Sequence, residues 1–397
     1  MSFQAISSVN VYYQPGLKKQ LMGRLALESR RIFFEYDAEF LKTSLQLSPF
    51  KLPLKPGVII AENQPFEGLF GIFNDSLPDG WGRLLLDRKL LHLGINPRQL
   101  SPLDRLCYVG HHGMGSLVYE PDIAPSNLTP NKILDDIADE IVQFQESESD
   151  YFVDELLTLN GSSAGARPKI LVNIEGRDWM IKFRSIFDPA DIGSIEYAYH
   201  LMAKKAGLDV PDAMLFPSQK NRPYFGVKRF DREGKKRIHM HTASGLLQID
   251  HRIPSMDYET LMKITISLTK SIHESEKQFR LAVFNVFAHN RDDHAKNFSF
   301  LMDSAGLWRV SPAYDLTFSS GPAGEHCSMV MGEGKHPCRT HLFKLAEFSS
   351  IQPEKAEQII DEVSAAVSEW KRFADEAEVS KPSYSMIKNA LDKVILN

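Results

Sequence analysis

Cysteine is scarce in this chain. Cys107, Cys327 and Cys338 are too few and too scattered for a disulfide framework, which points to a reducing compartment. No apolar run approaches the ~18–20 residues of a membrane-spanning helix. The start, Met1-Ser2-Phe3-Gln4, has no basic stretch leading into an apolar core, so no signal peptide is expected. These absences together lead to the expectation of a cytoplasmic protein without membrane contact. Basic blocks are also missing, since Gly234-Lys235-Lys236-Arg237 is short and reads as a solvated turn. With 46 Lys and Arg against 51 Asp and Glu, the net charge is −5, and nothing global points to nucleic-acid binding.

Several catalytic signatures are absent as well. There is no H-E-x-x-H or C-x-x-C, and Cys327 and Cys338 lack zinc spacing. The cluster His289, Asp292, Asp293, His294 and Asp315 imitates a metal hydrolase only in composition. No G-x-S-x-G elbow speaks for a serine hydrolase. A Walker loop is excluded because the lysine after the Gly-rich stretch, Lys169, lies beyond Pro168.

What is present is an ordinary globular composition, 43% hydrophobic and 24% charged, in 397 residues. That length suits two or three domains or one two-lobed enzyme. The first part reads as strands at Val9 to Tyr13, Leu21 to Leu27 and Arg31 to Tyr36. A turn at Asn74-Asp75-Ser76-Leu77-Pro78-Asp79-Gly80 precedes a helix over Trp81 to Leu93. Pro, Asn and Ser gather between Pro121 and Pro130 and mark a boundary. Next come helices to Leu159, a Gly/Ser loop, strands at Ile170 to Ile174 and Trp179 to Phe183, a helix over Ser194 to Ala206, and strands at Ala213 to Phe216 and Tyr224 to Phe230. From Tyr258 the pattern is mainly helical. The expected division is a β-rich subdomain at 1–125, an α/β region at 126–240 and a helical lobe at 241–397, in an α+β, two-lobed arrangement like that of a protein kinase.

The candidate chemistry sits in Arg291-Asp292-Asp293-His294-Ala295-Lys296-Asn297. An Asp five residues before an Asn lets one loop place a proton acceptor and a Mg²⁺ ligand at a phosphate. The spacing to Asn297 selects Asp292 over Asp293. Asp315 follows a short strand-like segment, where a second metal-holding carboxylate of a kinase falls. Phosphoryl transfer is mostly positioning and charge neutralisation, so one base and two metal ligands form a minimal set. Gly161 and Gly165 bracket Ser162, Ser163 and Ala164 in a loop able to turn backbone N–H groups onto phosphate oxygens. Lys182, on the second strand of the following hairpin, stands where a kinase lysine meets nucleotide phosphates, with Glu196 as an ion-pair partner. Lys296 adds a cation near the transfer point.

These parts, in this order, resemble the HipA-type serine/threonine protein kinases, the toxins of bacterial toxin–antitoxin modules. The likeness rests on Phe73-Asn74-Asp75-Ser76-Leu77-Pro78-Asp79-Gly80, on Gly110 to Gly115, on Ser162-Ser163-Ala164-Gly165-Ala166 with Lys169, on Ile181-Lys182-Phe183, on Lys228-Arg229-Phe230-Asp231-Arg232, on Asp292-Asp293-His294-Ala295-Lys296-Asn297-Phe298, and on Ser311-Pro312-Ala313-Tyr314-Asp315. It covers nearly the whole chain.

The resemblance implies a use of ATP and Mg²⁺, with Asp292 as catalytic base, Asn297 and Asp315 on the metal, and Lys182 and His294 at the ATP phosphates. It also implies Lys228, Arg229 and Phe230 along the adenine, Met114 against the nucleotide, and Ser162 or Ser163 as an inhibitory autophosphorylation site. It further implies a protein substrate connected with translation, such as an aminoacyl-tRNA synthetase, and a small helix-turn-helix antitoxin like HipB, through which DNA is reached only indirectly. Departures from the family pattern are Asp293 for the usual Gly, Arg167 in the loop, and Lys228 at the hinge. Two other readings stand beside this one: a non-catalytic co-repressor of a helix-turn-helix protein, and a small-molecule kinase.

Overall fold

The computed structural model describes residues 5–62, 64–124, 133–146, 153–160, 165, 167–220 and 222–395. The N-terminal sheet is fully antiparallel and is built from β1 (Ser8–Tyr13), β2 (Gln20–Glu28), β3 (Arg31–Tyr36), β4 (Val58–Ile60) and β5 (Leu117–Glu120), in the order β4-β3-β2-β1-β5. Strand alternation explains its core. Val9, Val11 and Tyr13 from β1 and Ile32, Phe34 and Tyr36 from β3 point inward, and Phe40, Phe70 and Phe73 close over them.

Two helices link this sheet to the rest. α1 (Gly80–His92) follows the Pro78-Asp79 turn, and α2 (Pro102–Val109) opens with a capping box between Ser101 and Asp104. α1 leaves the first core: its Trp81 and Leu85 pack with Ile137 and Phe144 of α3 (Leu134–Glu146) and with Leu156 and Leu159 of α4 (Val153–Asn160).

A second antiparallel sheet has the order β6-β7-β9-β8, from β6 (Lys169–Ile174), β7 (Arg177–Lys182), β8 (Ala213–Phe216) and β9 (Tyr224–Lys228). Ile174 pairs directly with Arg177, so Glu175 and Gly176 form a two-residue turn, with φ of 51° and 76°. α5 (Ile192–Lys205) packs its Ile195, Tyr199 and Met202 into the C-terminal core.

That core is helical, centred on α6 (Ala243–Leu247), α7 (Tyr258–Thr269) and α8 (Ile272–Phe287), with α9 (Arg339–Phe348), α10 (Pro353–Ser368), α11 (Trp370–Glu376) and α12 (Lys381–Ile395) around it. A small sheet interrupts the mainly helical lobe, and of its strands only the one before Asp315 is expected from the sequence. β10 (His239–Thr242) pairs antiparallel with β11 (Ser299–Met302), which pairs with β12 (Trp308–Val310). Four residues are too short for a clear period, and the partner strand lies far along the chain. The strand ending in Tyr224 to Phe230 also stops early, at Lys228, where the chain bends.

The N-terminal subdomain is fastened to this lobe by close backbone contact. A Cβ on Gly71 would lie 2.0 Å from the Gly245 carbonyl oxygen, so only glycine allows the turn Gly71–Asn74 to abut α6. Asp75 secures the same seam, accepting from Thr242 N–H at 2.7 Å and Thr242 O–H at 2.7 Å, with His241 Nδ1 at 2.6 Å.

Candidate active site

Lys182 ends β7, and alternation sends it to the face opposite buried Ile181. There its ammonium meets Asp315 Oδ1 at 2.5 Å and Glu196 Oε1 at 3.3 Å. Glu196 is buried in the first turns of α5 and takes a second cation, Arg167 Nη1, at 2.9 Å. Arg167 also reaches Asp188 Oδ1 at 3.1 Å. Burial opposes charge on Lys182, but the Asp315 and Glu196 carboxylates outweigh it and raise its pKa. In return, Lys182 holds Asp315 far below the usual carboxylate range. Lys169, at the start of β6, is buried close by, and burial lowers its pKa. It lies over Gly165, whose φ of 110° favours glycine whatever the space around it.

The catalytic-loop motif follows α8. Its two adjacent carboxylates have different surroundings. Asp293 is buried and accepts from Tyr258 O–H at 2.9 Å and Ser328 N–H at 3.2 Å, with His326 Nδ1 at 2.9 Å. Its main-chain carbonyl accepts from Ser328 O–H at 2.5 Å. Asp292 has a 56% exposed side chain, 3.9 Å from His294 Nε2, and its Oδ1 is 4.0 Å from Cys327 Sγ. Lost hydration and the neighbouring Asp315 raise the Asp292 carboxyl above its ordinary value, while His294 opposes the shift. The D-x4-N spacing closes the loop on itself, because Asn297 Nδ2 donates to the Asp292 carbonyl at 2.7 Å. The Asn297 amide oxygen and the Asp315 carboxylate are then hard oxygen donors of the kind Mg²⁺ takes.

The segment after Asp315 is bound back onto this loop. Ser319 N–H donates to the His289 carbonyl at 3.1 Å and Cys327 N–H to the Arg291 carbonyl at 3.1 Å. Asp293 adds the side-chain part of that fastening.

Lys296 donates to Asp79 Oδ2 at 2.7 Å. Asp79 lies just before α1 and also accepts from Gly165 N–H, while Trp81 N–H donates to the Gly165 carbonyl at 3.1 Å. Burial opposes ionisation of Asp79, but Lys296 and the Gly165 N–H together hold its pKa down to about 2.

At the hinge the predicted residues separate. Phe230 lies 5.5 Å, ring centre to ring centre, from Tyr314, next to Asp315. The Arg229 guanidinium is instead committed to Asp231, at 2.9 and 2.8 Å, and Lys228 Nζ turns to Asp212 at 3.4 Å. Met114 belongs to a loop drawn onto the hinge. Gly115 N–H donates to Asp231 at 2.8 Å, and the Gly113 carbonyl accepts from Arg232 at 2.8 Å and Arg237 at 3.0 Å. Ser162, Ser163 and Ala164 lie outside the described residues.

The comparison with known families follows this geometry. A model of the HipA-like C-terminal domain matches residues 161–370, and one of the HipA N-terminal domain matches residues 14–120. The chain belongs to the HipA family.

Among solved structures, this HipA-family fold is similar to a chain of the Shewanella oneidensis complex of the toxin–antitoxin proteins HipA and HipB with operator DNA. The match has a TM-score of 0.69 at 14% identity and covers 98% of this chain and 96% of that one. Among curated relatives, Y4dM of Sinorhizobium fredii, provisionally named a kinase, is 24% identical over 154 residues, 36% of this chain. A provisionally named kinase of Haemophilus influenzae is 25% identical over 135 residues, 30% of this chain. The chain spans 37% and 39% of these two relatives' own length.

Three residues of this HipA-family site escaped the motif reading. Asp79 reads as part of a turn, although Asp before an apolar helix is also an N-cap signal. Arg167 stands out in the sequence only as a departure from the family pattern, and Asp293, weighed there against Asp292 as the base, is given no part in fastening the loop.

Proposed function

We propose that the chain is an ATP- and Mg²⁺-dependent serine/threonine protein kinase, a toxin that arrests growth by phosphorylating a translation component such as an aminoacyl-tRNA synthetase. The observation that carries this reading is the convergence of Lys182, Glu196 and Asp315, with Asp315 near enough to raise the pKa of the exposed Asp292 carboxyl. In this reading Asp292 accepts the proton of the attacking hydroxyl. Asn297 and Asp315 would hold Mg²⁺, which supplies charge neutralisation at the phosphates. Lys182, His294 and Lys296 line the phosphate side, and Phe230 with Met114 borders the base.

Phosphorylation of Ser162 or Ser163 would bring about two negative charges to a loop that must lie against phosphates, which silences the site. The partner expected is a helix-turn-helix antitoxin like the HipB of the Shewanella complex, with DNA reached through it.

The test is induced expression in a bacterial host. Growth should stop with the wild-type chain, continue with Asp292→Ala, and resume when the neighbouring antitoxin gene is expressed. Equal arrest by wild type and Asp292→Ala would contradict a catalytic toxin.

A further inference from the structure

We infer that Asp79, a residue of the N-terminal subdomain, is a positioning residue for phosphoryl transfer, acting through Lys296 and Gly165; this rests on the kinase reading above. One carboxylate joins the two loops that must close on a nucleotide. Its Oδ2 takes the Lys296 ammonium at 2.7 Å, and its Oδ1 takes the Gly165 N–H. The Trp81 N–H returns to the Gly165 carbonyl at 3.1 Å, so the start of α1 grips that residue from both sides. His251 completes the surroundings, with Nε2 at 3.8 Å from Asp79 Oδ2 and its ring centre 5.2 Å from that of His294, the two planes tilted by 57°.

The pairing sets where the Lys296 charge stands. A lysine loses several rotatable bonds when fixed, and an unheld lysine would spread its charge over the cleft. The Lys296 side chain is only 10% exposed, and Asp79 is its carboxylate partner among the described residues. The backbone around Lys296 is braced independently, since its carbonyl accepts from Tyr314 O–H at 2.6 Å. Asp79 therefore governs the side chain rather than the course of the loop.

The reach of Asp79 has a structural basis. Asp75, four residues earlier, anchors the same segment to Thr242 at 2.7 Å. The segment Asp75 to Asp79 thus fixes the subdomain to the lobe at one end and presents a carboxylate to the cleft at the other. The N-terminal subdomain becomes a working part of the site instead of an appended module.

The experiment is a double-substitution cycle on the full chain, with Asp79→Asn, Lys296→Met and both together, beside wild type and Asp79→Glu. The rate of phosphate transfer from ATP, the KM for ATP and the thermal midpoint are measured for each. The expected result is a loss of tenfold or more in kcat/KM for each single variant. The double variant should fall within about threefold of the weaker single, because residues acting as one unit are not additive. Partial recovery in Asp79→Glu should accompany this, with thermal midpoints that do not track the losses. Multiplicative losses, or an Asp79→Asn chain as active as wild type, would overturn the inference while leaving the kinase reading intact. A wild-type chain that neither binds ATP nor transfers phosphate would overturn that reading, and this inference with it.

Discussion

Lys182 Nζ lies 2.5 Å from Asp315 Oδ1, joining a strand of the second sheet to the carboxylate that follows β12. The same ammonium is 3.3 Å from Glu196, so one cation ties strand, helix and the Asp315 segment together. Asp315 takes a left-handed φ of 57°, which Asp tolerates better than most residues.

Replacing Lys182 with Met should lower kcat for phosphate transfer about 10²-fold, the scale of losing one preorganised electrostatic contact. The fold should survive, because Arg167 still neutralises Glu196 at 2.9 Å. The stability loss should stay below the ~3–5 kcal/mol of breaking an isolated buried pair. Steady-state kinetics and a urea titration check both parts.

Asp293→Gly should destabilise the protein by about 2–4 kcal/mol, because Tyr258 O–H and Ser328 N–H lose a buried acceptor. The segment carrying Ser328 should also loosen, with faster amide exchange at Cys327 and Ser328. Asp293→Asn, which keeps an acceptor, should lose less. Equal stability for all three proteins would rule out the proposed fastening.

Stability should fall on mild acidification. Burial lowers the pKa of His239 to about 3 and of His200 and His251 to about 4, against an ordinary value of 6.5. Below pH 6.5 the unfolded chain takes up protons that the folded chain refuses, so stability present above 6.5 is lost progressively toward about 4. Thermal midpoints between pH 7.5 and 4.5 measure this. A midpoint that rises on acidification would contradict the burial of these imidazoles.

Much of the fold was legible because its elements are local. The alternation in Val9 to Tyr13 and a hairpin turn after Ile174 declare themselves within a few residues, although Arg177 and Asp178, read as turn, pair in the strand. The Lys182–Glu196 pair was foreseeable as well, since only a short stretch of chain separates strand and helix. What stayed hidden depends on distant partners. Asp79 meets Lys296 across 217 positions, and no local pattern marks that meeting. His239 to Thr242 becomes a strand only because Ser299 to Met302 lies beside it. Arg229 was assigned to the adenine from its place in a motif, yet its guanidinium closes on Asp231, two residues on. A motif gives a residue's position along the chain, while the direction of a long side chain is set by the nearest buried charge.

The central claim is that Asp292 drives phosphate transfer at this site, and the most direct measurement is mass spectrometry of phosphate on the purified chain. Dephosphorylated wild type and Asp292→Ala are incubated with Mg²⁺ and ATP and compared. The account predicts phosphate on Ser162 or Ser163 in the wild type and none on Asp292→Ala. Phosphate on neither protein, together with no measurable ATP binding by the wild type, would contradict it.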